Sequence, residues 1–492
     1  MVNLAPKLPA EIIHLIIDIL VEQSSGEPST RMNVLHTCSR VSWLFHLHAQ
    51  KHRFSHVYFR FDDNARKRAK RLLQVLVPPR NHYLHPFISS VTFIVHPPIA
   101  RAGRWSRRME KITQKVKASI RAVGRRLKGD LDWISCAMIF LAALDSLQKM
   151  TLTSNSSREI INWQEATRLT PQLSKVLWLA MHPELRNITF RNLSYLPVLY
   201  IMARSEPPPR LRKLTIDNTH FHTFSSEPYN DLPPRLSRML QERLATVEEL
   251  NWVCRGGRPV VFDPVWPNQL LSLTPIYSSL TTIVFHLSPR NSVTNQFFQL
   301  LLSASQTLQS LELHNVHMFG PELDDLASDY LGHFTALRHV GYKAKSANTE
   351  YLRTQLDVFS KILLTTPVPI PSLSSISVDI LEFCTPNLMS DDLSKLMFCE
   401  APQSNVPVTG RWSALDNALC NPNFVNLRSV RFNVKLYVQT DLFWYDFQDD
   451  HLRLFVPQVY EHPLADVDVT IERIGGEDAY DSWVFETDKA HS

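Results

Sequence analysis

Nine times beyond residue 140 the chain repeats one phrase: a Leu or Val, two residues, an aliphatic residue, one residue, then an aliphatic or aromatic one. The copies begin at Leu185, Leu211, Val247, Leu280, Leu308, Leu337, Leu373, Leu427 and Leu464, as in Leu308-x-x-Leu311-x-Leu313. The last two apolar positions of each copy are two residues apart, the period of a strand with one buried face. One such strand cannot bury its apolar side alone, whereas a series can, each member covering the next. Between the copies, residues 234–245, 293–304, 322–331, 350–364 and 390–399 carry apolar residues at helical spacing. Prolines mark the joins at 207–209, 233–234 and 367–371. The expected class is α/β. A simpler α/β domain whose parallel strands merely look alike is the alternative on the same residues.

Three of the copies are followed by Asn192, Asn218 and Asn315, whose amide side chains can bond the turning backbone of stacked coils. With that feature the region resembles a leucine-rich repeat. Start-to-start spacing runs from 26 residues (Leu185 to Leu211) to 54 (Leu373 to Leu427), against about 20–29 in regular repeats. The resemblance therefore implies an irregular leucine-rich-repeat-like α/β solenoid over residues 141–492, with first strand–helix units in 61–140. Positions flanking the inward aliphatics face the concave surface of such an array, which makes Lys213, Asp217, Glu312, His314 and Arg431 the candidate target contacts. Their mixed charges suit a protein or peptide better than a run of phosphates.

Residues 1–60 read as a separate helical module. In the first helix Glu11, His14, Asp18 and Glu22 occupy about 80° of arc, while Ile12, Ile13, Leu15, Ile16, Ile17, Ile19 and Leu20 sweep about 200°. A helix against a single core needs about half of that apolar arc. The surplus implies two covered faces, one inside the module and one against a partner chain. Leu8-Pro9, the acidic Glu11, then Ile16 and Leu20, a polar loop from Glu22 to Asn33, and Leu35, Cys38 and Val41 resemble the F-box family. Arg53-Phe54-Ser55-His56-Val57, leading into an alternating strand, is similar to the version found in large fungal F-box families. Phe45 stands where that family usually has a Trp, with Trp43 two places earlier. The resemblance covers about fifty of the 492 residues. It implies docking on the Skp-type linker of a cullin–RING ubiquitin ligase through Leu8, Pro9, Ile12, Ile16, Leu20, Leu35, Val41 and Phe45.

Charge is distributed unevenly. Residues 51–128 hold 20 Lys and Arg against three acidic residues, while 440–492 hold 13 acidic residues against three basic ones. Within the basic part, residues 104–128 fit a cationic amphipathic helix with Trp105, Met109, Ile112, Val116, Ile120, Val123 and Leu127 on one stripe. Such a helix can meet nucleic acid, an anionic membrane surface or the acidic tail of its own chain. No aromatic residues interleave with its basic ones as a stacking platform for nucleic acid requires, which argues against that partner.

The remaining chemistry is sparse. Twelve glycines in 492 residues leave no G-x-G-x-x-G and no Walker-type run. The six cysteines, at 38, 136, 254, 384, 399 and 420, form no C-x-x-C pair and read as reduced thiols. His182-Pro183-Glu184 has the start of a deaminase zinc motif without the Pro-Cys-x-x-Cys that completes it. The first apolar stretch is interrupted by Glu11, His14 and Asp18, so it does not read as a signal segment, and the longest uncharged apolar run, Trp133 to Leu144, is too short to span a bilayer. The sequence thus leads us to expect an intracellular, cytoplasmic or nuclear, non-enzymatic protein with no cofactor, no metal and no membrane span. The expected role is that of a substrate-recognition adaptor. A ligase-independent repeat scaffold is the main alternative, and a basic nucleic-acid-associated protein the third.

Overall fold

The computed structural model of the chain describes residues 9–23, 28–62, 64–76, 82–96, 132–155, 160–180, 182, 184–196, 211–219, 246–253, 277–286, 302–314, 331–346, 349–364, 366, 368–384, 411–438, 456–462 and 465–475. The expected basic helix at 104–128 lies outside these residues, as do Leu8, Asn315 and most of the helices expected at 234–245, 293–304, 322–331 and 390–399. Two compact units divide the chain, the first reaching Pro209 and the second starting at Arg210.

The first unit opens with helices α1 (Ala10–Gln23), α2 (Pro28–Cys38) and α3 (Trp43–Phe54). Helix α1 starts because the carbonyl of Pro9 accepts the amides of Ile12 and Ile13, satisfying donors that have no partner inside the helix. Ser42 caps α3 by accepting the Phe45 amide, and Lys51, His52 and Arg53 fill its last turn, where the helix dipole is negative. Ile13, Ile17, Val21, Leu35, Cys38 and Ala49 form the small core of this module, with Val34 and Phe45 packed against it.

From α3 the chain passes directly into β1 (His56–Phe61), then α4 (Ala65–Leu76), β2 (Ser90–Val95), α5 (Trp133–Ala142) and β3 (Lys149–Ser154). The short β4 (Ile161–Asn162) follows, then α6 (Trp163–Leu169), α7 (Val176–Ala180), β5 (Asn187–Arg191) and the short β6 (Leu193–Ser194). Strands β1, β2, β3 and β5 are neighbours in chain order and all parallel. Their register lines up Phe59, Phe93, Leu152 and Phe190, each at most 1% exposed, so alternate side chains of successive strands make one continuous apolar row. Strand β4 pairs separately with β6.

In the second unit come β7 (Leu211–Asp217), β8 (Val247–Val253), β9 (Thr282–His286), β10 (Ser310–His314) and β11 (His339–Ser346). Then follow α8 (Thr349–Leu364), β12 (Ser375–Cys384), α9 (Arg411–Leu419), β13 (Ser429–Val438), α10 (Pro457–Glu461) and β14 (Asp466–Gly475). Again every neighbour is the next strand in the chain and every pair is parallel, so the sheet runs open from β7 to β14. The repeated phrase supplies its inner face. Leu214, Leu250, Ile283, Leu311, Val340, Ile376, Val430 and Val467 form one row. Ile216, Trp252, Phe285, Leu313, Tyr342, Val378, Phe432 and Val469 form the next.

The first Leu or Val of each phrase, from Leu185 to Leu427, is buried just ahead of or at the start of its strand. Asn192 and Asn218, the residues that follow β5 and β7 most closely, have φ of 54° and 46°. The left-handed turn that ends a strand therefore selects Asn, which tolerates that backbone best among residues with a side chain.

The helix expected at 350–364 is α8. It is tied to β11 by Tyr342, whose ring stacks on Phe359 at 4.5 Å and whose hydroxyl donates to the Gln355 carbonyl at 2.8 Å. The buried Gln355 side chain closes the contact, accepting from the Lys345 amide and donating to the Lys345 carbonyl. The apolar run at 133–144 forms the ten-residue α5, and no helix among the described residues is long and apolar enough to cross a membrane.

Candidate functional site

Two surfaces, one in each unit, hold the residues singled out by the sequence. The first is α1. Ile13, Ile17 and Val21 recur every fourth residue and point into the module core, as the 3.6-residue period requires. The rest of the apolar arc stays outside: Ile12 is 42% exposed, Leu15 54%, and Ile19 and Leu20 are also exposed, with Ile16 half-buried between them. Pro9 is exposed at the head of the same helix. At the entry to α3, Val41, Trp43 and Leu44 are exposed too, Trp43 by 70%, its ring stacked on His46. Isolated exposed apolar residues are ordinary, but four on one short helix make a patch.

One of the expected linker contacts takes another role. Leu35 is 2% exposed and belongs to the core that holds α1, α2 and α3 together, so it is closed to a partner. Phe45 packs against the same core but stays half-buried. The exposed aromatic at this place is Trp43.

The second surface is the outward side of the strands of the second unit. One register row carries Glu312, Gly341, Ser377, Arg431 and Asp468. The next carries His314, Lys343, Asp379, Asn433 and Thr470. Its charges are matched between neighbours: Arg431 Nε meets Asp468 Oδ2 at 3.0 Å, Lys435 Nζ meets Glu472 Oε2 at 2.8 Å, and Lys213 Nζ lies 3.9 Å from Glu249 Oε2. His314 Nε2 is 3.3 Å from Glu312 Oε2, and its ring meets His286 edge-on at 4.0 Å. His339 bonds the Ser375 hydroxyl through Nδ1 at 3.0 Å.

The electrostatics of this face are divided. The hydrogen bond from His314 holds the Glu312 carboxyl below the usual range, against the opposing effect of burial. Burial pushes the Asp379 carboxyl up, with Lys343 and His314 working against it. Burial also lowers His339, which Glu312 opposes. Ion pairs and neutral hydroxyls share the surface, so it offers specific donors and acceptors instead of a field of one sign.

Of the five expected target contacts, Lys213 and Arg431 are exposed and Glu312 and His314 are half-buried on this side. Asp217 is not available. It is 1% exposed at the end of β7, in register with Val253 and His286, which are buried as well. The period-2 pattern assigned its side correctly, but that corner of the sheet side is covered.

Sequence reasoning did not identify one further cluster, Asp18 with His48 and His52, in which both imidazoles bond a single carboxylate oxygen. The i, i+4 spacing of the two histidines was a readable signal. Their acidic partner lies 30 residues upstream, within what reads as a solvated stripe.

In sequence comparison, no protein-family model and no curated protein matches the chain.

Proposed function

We propose that this chain is the substrate-recognition adaptor of a Skp–cullin–F-box ubiquitin ligase. Its N-terminal three-helix module docks on the Skp-type linker through the outer face of α1. Its strands, read as an irregular leucine-rich-repeat-like solenoid, hold a protein target on their outward side. The adaptor does no chemistry of its own and raises the effective concentration of target lysines beside a ligase carried by other subunits.

The observation that carries this reading is the division of α1: Ile13, Ile17 and Val21 are buried while Ile12, Leu15, Ile19 and Leu20 are exposed on the same helix. An amphipathic helix that keeps a second apolar face outside is the usual donor of a helix-in-groove contact. Strands that follow one another in parallel, in chain order, support the repeat reading of the second unit. The paired charges on its outward side support a protein target over nucleic acid.

Affinity capture of the tagged full chain, read for the Skp-type linker, tests the assignment. The expected result is recovery of the linker with the wild-type chain and its loss with Leu15→Glu/Ile19→Glu, at unchanged thermal stability. A well-folded wild-type chain that never recovers the linker, yet holds other proteins on its strand face, would replace the adaptor with a ligase-independent scaffold.

A further inference from the structure

The polar edge of α1 and the C-terminal half of α3 converge on one point. His48 and His52 are a helical turn apart on α3, and each brings Nε2 to the same atom, Oδ1 of Asp18, at 2.8 and 2.6 Å. The three potential ligand atoms all lie within 4.8 Å of one another. The rings are held in place. His14 stacks on His48 with centroids 4.0 Å apart and planes 12° from parallel, and His52 meets His48 edge-on at 5.0 Å. The His48 side chain is 6% exposed, that of His52 22% and that of Asp18 52%, which gives the cluster a closed back and an open front.

Two imidazole nitrogens and one carboxylate oxygen, preorganised on two rigid helices, are the donor set of a three-ligand zinc site. We propose that Asp18, His48 and His52 bind a divalent transition metal, with Zn2+ the ion their chemistry fits best and water in the fourth position at the open front. Zinc bonds of about 2.0–2.2 Å set adjacent ligand atoms of a tetrahedron about 3.3 Å apart, so the cluster opens by roughly half an ångström on binding. The half-exposed Asp18 side chain has the freedom to make that adjustment. The two Nε2–H···Oδ1 hydrogen bonds are exchanged for metal–ligand bonds, and each neutral imidazole then carries its proton on Nδ1. The ion joins α1 to α3 across a module whose core is only a handful of side chains, and it uses none of Ile12, Ile19 or Leu20. This site does not depend on the adaptor reading.

The test uses the full chain, stripped with a chelator and titrated with Zn2+ by calorimetry and with Co2+ by visible absorption, beside Asp18→Asn and His52→Gln. Both positions are accessible enough to change without emptying the core. For the wild type, the expected result is a site that raises the melting temperature as Zn2+ is added and gives Co2+ the absorption of a tetrahedral N/O site. Each variant should weaken that site by about tenfold or more and flatten the temperature rise. If Zn2+ stabilises both variants as much as the wild type, or the Co2+ spectrum survives in them, the metal is held by others of the 20 histidines and the proposal fails.

Discussion

Glu312 and Gly341 are direct partners across the β10–β11 ladder, and a Cβ built on Gly341 would stand 3.1 Å from Cγ of Glu312. It would also stand 3.1 Å from the Ser377 hydroxyl and 3.2 Å from Nε2 of His339. Glycine here supplies space on the outward face, and the side chains around it lean over the gap.

Substitution at this position should therefore scale with side-chain size. Gly341→Ala gains about 0.5–1 kcal/mol from a stiffer unfolded chain and loses a similar amount to crowding, so its denaturation midpoint should stay close to wild type. Gly341→Val cannot be accommodated by a few tenths of an ångström and should cost about 1–3 kcal/mol. Urea unfolding of the two variants checks the order; equal effects would mean that the gap is not filled by Glu312, Ser377 and His339.

The two sides of the sheet should respond differently. Leu311 is fully buried in the inner row, and Leu311→Ala should cost about 2–5 kcal/mol through the cavity it leaves. Arg431 is 62% exposed, so Arg431→Glu should cost about 1 kcal/mol or less despite facing Asp468. If the adaptor reading holds, only the second change removes a target while sparing the fold. Melting temperature and target recovery, measured together, separate the two effects.

Two carboxylates on the outward face should give stability opposite dependences on pH. The folded Glu312 carboxyl titrates below its unfolded value of about 4.3, so its contribution is complete above that pH and is lost as pH falls through the folded value. Glu312→Gln should flatten the acid side of a stability–pH curve. The folded Asp379 titrates above the unfolded value of about 3.9, so the native state holds its proton more readily, and stability declines as pH rises through that window. Asp379→Asn should remove this decline. Urea midpoints from pH 3 to 7 for the wild type and both variants measure the slopes.

Asp416 ties α9 to α10. Its carboxylate accepts the Val459 amide at 2.9 Å and the Gln458 amide at 3.1 Å, in a site only 1% exposed. Asp416→Ala removes the acceptor from both amides and leaves the buried Val459 amide without it, and should cost about 1–3 kcal/mol. Amide hydrogen exchange at 458–461 should rise in this variant, whereas exchange in α8 should change much less.

Much of this architecture is legible in the sequence because parallel strands of one sheet share a requirement. Each must offer aliphatic or aromatic residues two apart to the same inner side, and an apolar residue at its entry, so the phrase recurs and can be counted. All nine copies end on parallel strands, β5 and β7 to β14. A looser form of the phrase, with Ile at its start or Met in its middle, also runs through Ile88-x-x-Val91-x-Phe93 on β2 and Leu147-x-x-Met150-x-Leu152 on β3, and was readable there as well. What local pattern cannot supply is cover. Leu35 and Asp217 each sit on the side that periodicity assigns, yet the packing of α1 and α3 buries the first and the corner shared with Val253 and His286 buries the second. The Asp18–His48–His52 cluster escapes for a related reason, since only the tertiary pairing of α1 with α3 brings its members together.

The division of α1 into two apolar faces makes a test in which fold and partner binding separate on adjacent residues. Ile17 is fully buried, and Ile17→Ala should cost about 2–5 kcal/mol, enough to loosen the three-helix module and lose the linker through unfolding. Leu15 and Ile19 lie on the exposed side one turn apart, so Leu15→Glu/Ile19→Glu should change stability by about 0.5 kcal/mol per site or less. If the exposed face is the docking surface, this pair should abolish linker capture as completely as Ile17→Ala does, but with the helical signal and melting temperature retained. Capture by the Leu15→Glu/Ile19→Glu chain at wild-type strength would show that α1 keeps an apolar face outside for some other partner, and the ubiquitin-ligase assignment would fall with it.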